Sequence, residues 1–272
     1  MDDSALSFAL RRDRVVVLVA LAVLTALAWG YVIWLEAQMT APSATAMPDM
    51  PGMDMSGSGL ITAAFAPWTP AHFLFMFTMW AVMMVGMMTP SVAPMVLIYM
   101  QVARRSATLG QAFAPAGWFA AGYLVAWSLF AALAALAQWS FETLALITPM
   151  MASASRPFGG AVLIAAGVYQ WMPLKYACLS QCRAPLSFVQ NHGGFQASVH
   201  GSLRLGFVHG MYCIGCCWAL MALLFVGGVM NLLWIAALMI FVLLEKAIPG
   251  VRYFSRVAGL AAVVAGIWMI AT

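Results

Sequence analysis

Three cysteines and a histidine, all able to bind a soft metal, fall within one short stretch, His209-Gly-Met-Tyr-Cys213-Ile-Gly-Cys216-Cys217-Trp218. On a helix, His209, Cys213 and Cys216 stand at i, i+4 and i+7 and share one face, with Cys217 on its flank. Thiolate and imidazole are ligands for copper(I), zinc and iron–sulfur centres, and thiolate is the softer of the two. The stretch lies inside an apolar run, residues 205–226. A lone cysteine in such a run packs as a small apolar residue. Three cysteines within five residues, one turn after a histidine, point instead to a metal site. Copper(I) is the expected metal and zinc the alternative.

Other soft donors occur elsewhere. Cys178 and Cys182 have i, i+4 spacing and lie between Lys175 and Arg183. Flanking cations are expected to lower the pKa of these thiols, favouring metal binding or redox chemistry. Residues 76–95 contain Met76, Met79, Met83, Met84, Met87, Met88 and Met95. On a helix Met76, Met83 and Met87 nearly superimpose, with Met79 to one side and the other three on the opposite flank. Thioethers are weak neutral ligands that suit copper(I), although methionine is also a gap-filler in cores. Pro90 and Pro94 are expected to kink this helix and free carbonyls. His72 marks its outer mouth. Upstream, Met47-Pro-Asp-Met50-Pro-Gly-Met53-Asp-Met55 offers thioethers for capturing copper outside the membrane. The same composition also describes a disordered linker.

These residues need an element to hold them, and the composition says which. Of 272 residues, 65% are hydrophobic and 7% charged, against about 25% charged in a soluble domain. Such a chain is expected to be an all-α bundle in a lipid bilayer. Each span needs roughly 20 apolar residues. Apolar runs occur at residues 15–35, 72–99, 113–139, 158–174, 204–226, 229–244 and 257–271, predicting seven spans. The first is expected to be an uncleaved anchor, since its apolar core is too long for a signal peptide. Residues 1–35 would form the N-terminus and first span, 36–71 a Met/Pro/Gly-rich periplasmic linker, and 72–272 a six-span metal-binding domain. With the N-terminus in the cytoplasm and the C-terminus in the periplasm, eleven of the twelve Lys and Arg residues fall inside, and only Arg156 falls outside.

The net charge of +4 does not point to nucleic acid, because the cations sit at span ends. Five cysteines in a chain of this length do not indicate a disulfide framework. No Ser-His-Asp order, phosphate loop or paired catalytic carboxylates are visible, so no enzyme is expected. Glu245 and Lys246 end the sixth run and read as a pair that snorkels to the interface. Counting from Arg204, Cys213 lies about 13 Å along the helix, near the middle of a core about 30 Å thick. Cys178 and Cys182 are expected near the inner interface. A single site containing all five thiols therefore requires residues 175–183 to fold back into the bundle.

Three stretches together resemble a known family. They are Met79-Trp-Ala-Val-Met-Met-Val-Gly-Met-Met-Thr-Pro-Ser-Val-Ala-Pro94, then Tyr169-Gln-Trp-Met-Pro-Leu-Lys175 through Cys178 and Cys182 to Pro185, and then Gly206 through Cys213 and Cys216-Cys217-Trp218 to Gly228-Val-Met-Asn231, followed by Glu245-Lys246-Ala-Ile-Pro249. The chain is similar here to the bacterial predicted metal-binding integral membrane proteins, domain-of-unknown-function family 2182. One branch of that family is named for a membrane copper chaperone paired with a tyrosinase-type polyphenol oxidase. The resemblance runs from about Phe73 to the C-terminus. It implies copper binding and delivery to a cuproenzyme client at the bacterial inner membrane.

The residues themselves support a copper(I) chaperone or conduit, with soft ligands spread along the membrane normal. Two other readings compete. One is a membrane thiol-disulfide oxidoreductase using Cys178 and Cys182 or Cys216 and Cys217. The other is a non-catalytic accessory subunit of a membrane oxidase, in which the sulfur residues only pack.

Overall fold

A computed structural model describes residues 3–40, 69–108, 116–148, 151–195, 198–248, 250 and 252–272. In chain order the helices are α1 (Asp3–Thr40), α2 (Pro70–Thr108), α3 (Ala116–Thr143), α4 (Arg156–Tyr169), α5 (Pro173–Arg183), α6 (Pro185–Asn191), α7 (Val199–Ala222), α8 (Leu224–Gly227), α9 (Leu232–Ala247) and α10 (Arg252–Ala271). Among the described residues there is no strand, only an isolated bridge between Ile147 and Ser153. An all-helical chain is the expected outcome for so apolar a sequence, because a helix satisfies its backbone groups within its own segment.

Five helical stretches are long and apolar enough to cross a membrane: Val15–Gln38, Pro70–Val102, Ala116–Thr143, Val199–Gly227 and Arg252–Ala271. They correspond to the expected first, second, third, fifth and seventh spans. The other two expected spans are shorter helices, α4 with 14 residues and α9 with 16. At 1.5 Å per residue these are about 21 and 24 Å long, below a hydrocarbon core of about 30 Å. Local chemistry sets their ends. Ser155 Oγ accepts the Phe158 N–H at 3.4 Å, opening α4. Pro173 follows α4, and Met172 before it takes an extended conformation, ψ 137°, as a residue preceding proline prefers. Asn231 Oδ1 accepts the Trp234 N–H at 3.1 Å, opening α9.

Glycine makes the seam between α3 and α7. A Cβ at Gly206 would lie 1.9 Å from the Phe119 carbonyl oxygen, and one at Gly122 would lie 2.0 Å from that of Leu203. Small residues allow such backbone approach where lipid provides no hydrophobic drive between helices. A second glycine seam joins α4 to α10 through Gly160 and Gly266. The helix α2 packs between α1 and α3 and runs through Pro90 and Pro94. Trp80, Tyr99, Tyr123 and Trp127 fill the interior, while Leu27, Leu74, Leu133, Leu233 and Trp268 are exposed on the outside.

The chain after α4 does not simply run along an interface. Pro173 starts a new helix, and α5 packs back against α7. A Cβ at Gly215 of α7 would meet Cys178 Sγ at 2.8 Å. The glycine at that position leaves room for the thiol.

Candidate metal centre

Cys213 is the hub of the buried polar groups. It sits midway along α7 and is 1% exposed. Across the α3 seam, the Tyr123 hydroxyl lies 3.1 Å from Cys213 Sγ and donates to the Met88 carbonyl at 3.2 Å. From α9, Lys246 Nζ donates to Cys213 Sγ at 2.9 Å and to Ser91 Oγ at 3.0 Å. Ser91 Oγ is in turn 3.3 Å from the Tyr123 hydroxyl. An ammonium group is a donor only, so Cys213 sulfur is the acceptor in that contact.

The other thiols converge on the same point. Cys216 Sγ and Cys217 Sγ each donate to the Cys213 carbonyl, at 3.0 and 2.9 Å. Cys182 of α5 lies near the Cys213 and Cys216 thiols. Cys178 lies against Gly215 one turn earlier on α5. The cysteine pair and the cysteine triplet read from the sequence are therefore neighbours in one region, brought together by the fold-back of α5. All five cysteines are free thiols. Among the described residues, no three His, Cys, Asp or Glu side chains stand as a ready group around a metal ion. The reason is local: two of the sulfurs are turned onto a backbone carbonyl.

Two expectations about charge are corrected. Glu245 and Lys246 do not pair with each other. Glu245 Oε1 accepts from Lys175 Nζ at 2.5 Å and from Ser255 Oγ at 2.6 Å, and Gln170 Oε1 also accepts from Lys175. Lys175 and Glu245 are 0% and 2% exposed. Consecutive residues on a helix point about 100° apart, so Lys246 faces Cys213 instead. The end of α9 therefore lies beside Cys213. Nor do Lys175 and Arg183 serve the thiols of α5. Lys175 is committed to Glu245, and Arg183 donates to the Ile248 carbonyl. With both cations turned away, burial pushes the Cys178 thiol up, and Cys216 beside it adds to the effect.

His209 lies one turn before Cys213 and is 3% exposed. Its ring packs among Phe188, Phe119 and Tyr123, with centroids 4.9, 5.8 and 6.0 Å away. Its Nδ1 has no hydrogen-bond partner among the described residues. Met76, Met79, Met83 and Met87 are all buried in α2. Met83 and Met87 line the seam against Ala28, Trp29 and Val32 of α1 and Ile235 of α9. Met76 Sδ accepts from Gln138 Nε2 at 3.5 Å. Among the described residues of α2, Ser91 joins the network around Cys213 through Lys246 and Tyr123, and Met84 stands two turns before it on the same face. His72 is exposed in the first turn of α2, about 28 Å along the helix from Ser91 at 1.5 Å per residue. Met47, Met50, Met53 and Met55 lie outside the described residues.

Sequence reasoning missed Lys246, Tyr123 and Ser91. Lys246 had a signal, as the second of two adjacent charges closing an apolar run. Tyr123 and Ser91 had none, since each is a single polar residue in an apolar helix.

Together, these features describe a membrane-type protein: an all-helical body with membrane-length apolar helices and a buried thiol cluster beside one lysine. A family model described as PpoB2, copper chaperone, matches residues 77–269, and the chain belongs to this copper chaperone family. The family's role is non-catalytic. No curated protein and no solved structure matches the chain.

Proposed function

We propose that this chain is a multi-pass protein of the bacterial inner membrane that binds copper(I) at the buried thiols and hands it to a cuproenzyme. The observation that supports this best is the approach of Cys182 to Cys213 and Cys216, which gathers soft donors from two separate elements at one point. Thiolates select copper(I). A copper(I) ion held by two thiolates carries one net negative charge, and the Lys246 ammonium offsets it in an apolar interior. Structural zinc takes four ligands in a closed tetrahedron, a demand that favours copper as the cargo here.

Cys182 and Cys213 form the first ligand pair. Cys216 and Cys217 join when their thiols leave the Cys213 carbonyl. Cys178 and His209 flank them. Met76, Met79, Met83 and Met87 supply neutral donors towards the outer face, where His72, Met47, Met50, Met53 and Met55 capture the ion. The short helices α4 and α9 complete seven crossings, with the N-terminus in the cytoplasm and the C-terminus in the periplasm. That topology accounts for the eleven-to-one distribution of cations.

The test is metal analysis of the protein purified without oxygen and loaded with copper(I). Wild type is expected to retain copper through gel filtration. Replacing Cys213, Cys216 and Cys217 together by Ser is expected to abolish retention, and Cys182→Ser to weaken it. Unchanged copper stoichiometry in the triple variant would end this reading.

A further inference from the structure

We propose that the pocket beside His192 is the port through which copper(I) enters or leaves the thiol centre, presented as an anionic thiolate complex, with His192 and His209 as successive ligands on either side of Phe188. This rests on the copper reading above and names the route and the form of the cargo.

The pocket has a volume of about 390 Å³ and is lined by Asn191, His192, Gly201, Arg204, Leu205 and Val208 among others. It opens where α6 ends and α7 begins. His192 Nδ1 lies 2.8 Å from the Phe188 carbonyl oxygen. A carbonyl only accepts, so Nδ1 carries the proton, and Nε2 of the neutral ring keeps its lone pair. That is the tautomer a metal ligand needs, fixed by a backbone contact.

Phe188 is fully buried and touches both imidazoles. His192 stacks on it at 4.5 Å between centroids, and His209 meets it edge-on at 4.9 Å. His209 is the second observation that points to a ligand. Its Nδ1 is buried without a partner among the described residues, and an unpaired buried polar nitrogen is costly. One helical turn further along α7 lies Cys213. Polar donors thus lead from an open pocket to the thiols, interrupted by a single phenyl ring.

Arg204 decides the form of the cargo. It is exposed, lines the pocket and has no hydrogen-bond or ion-pair partner among the described residues. A free guanidinium repels a bare cation and attracts an anion. Copper(I) bound by two small thiolates is an anion. At the port, His192 Nε2 replaces one carrier thiolate, which leaves with its electron pair into water. His209 displaces His192 in the same way, and Cys213, as the thiolate beside Lys246, then displaces His209. Cys182 displaces the second carrier thiolate, which takes the Cys182 thiol proton and leaves as a thiol, so copper remains copper(I) throughout.

The experiment follows copper uptake by the full chain in detergent, without oxygen, through the ultraviolet absorption of copper–thiolate bonds in a stopped-flow instrument. Copper(I) is supplied either as its glutathione complex or as its cationic acetonitrile complex. His192→Ala is expected to slow uptake from both sources by about tenfold, and Arg204→Ala to slow uptake from glutathione alone by a similar factor, the scale on which steering charges change association rates. Final stoichiometry should equal wild type in both variants, which also shows that they are folded. His192→Gln, a smaller change in bulk, should reproduce the slow rate. Uptake at the wild-type rate in both His192 variants would overturn the port while leaving the thiol centre intact. An Arg204 effect equal for both complexes would overturn the anionic cargo. A wild-type chain that binds no copper would overturn the port and the copper reading together.

Discussion

Lys246 Nζ lies 2.9 Å from Cys213 Sγ, in the middle of the helical body. The pair joins the end of α9 to the centre of α7 and sets a fixed positive charge beside the most connected thiol. A cation so placed favours a thiolate and any anionic metal complex formed on it.

Lys246→Met removes the charge and keeps the bulk. It is expected to weaken copper(I) retention by about 10- to 100-fold, the range found when a supporting contact to a metal ligand is lost. Competition against a copper(I) chelator measures this. Equal affinity in the variant and wild type would show that the ammonium has no part in holding the ion.

Cys182 and the α7 thiols should be open to cross-linking. Mild oxidation with diamide is expected to join the peptide containing Cys182 to the peptide containing Cys213 and Cys216, seen by mass spectrometry after digestion. Gly215 admits Cys178 and so allows α5 this close. A product containing only a Cys178–Cys182 loop would mean that α5 does not lie against α7 as described.

The buried pair Lys175–Glu245 should behave asymmetrically. Removing one partner leaves an unpaired buried charge, which costs about 3–5 kcal/mol. Lys175→Met or Glu245→Gln alone is therefore expected to lower the melting temperature in detergent clearly. The double variant Lys175→Met with Glu245→Met should recover much of the loss. Additive losses in the double variant would argue against the pairing.

The α3–α7 seam should tolerate no side chain at Gly206, where a Cβ would overlap the Phe119 carbonyl. Both neighbours are backbone, so relief requires the helices to separate. Gly206→Ala is expected to destabilise by about 1–3 kcal/mol, as overpacking does. A methyl group added at Gly117 of α3 would meet nothing within 4 Å, and Gly117→Ala should change stability by no more than about 0.5 kcal/mol. Thermal melts of the two variants side by side decide the matter.

The sequence by itself determined the class of architecture and the focus of chemistry. Low charge and long unbroken apolar runs point to helices, because a helix satisfies its backbone groups within its own segment. The spacing of Cys213, Cys216 and Cys217 within one run determined that these thiols would share a neighbourhood, since helical periodicity is local. Two of the seven apolar runs were less legible. Their ends are set by Ser155, Pro173 and Asn231, and those caps shorten α4 and α9 below membrane length.

Only the tertiary structure decided what meets Cys213. Cys182 arrives because α5 folds back, which depends on a missing side chain at Gly215, far away in sequence. Lys246 arrives because its neighbour Glu245 is held by Lys175 and Ser255 from two other helices. Tyr123 arrives through a glycine seam. Each of these contacts depends on groups many residues apart occupying one volume. Periodicity along the chain carries no information about that, so the thiol stretch could be found from the sequence while its partners could not.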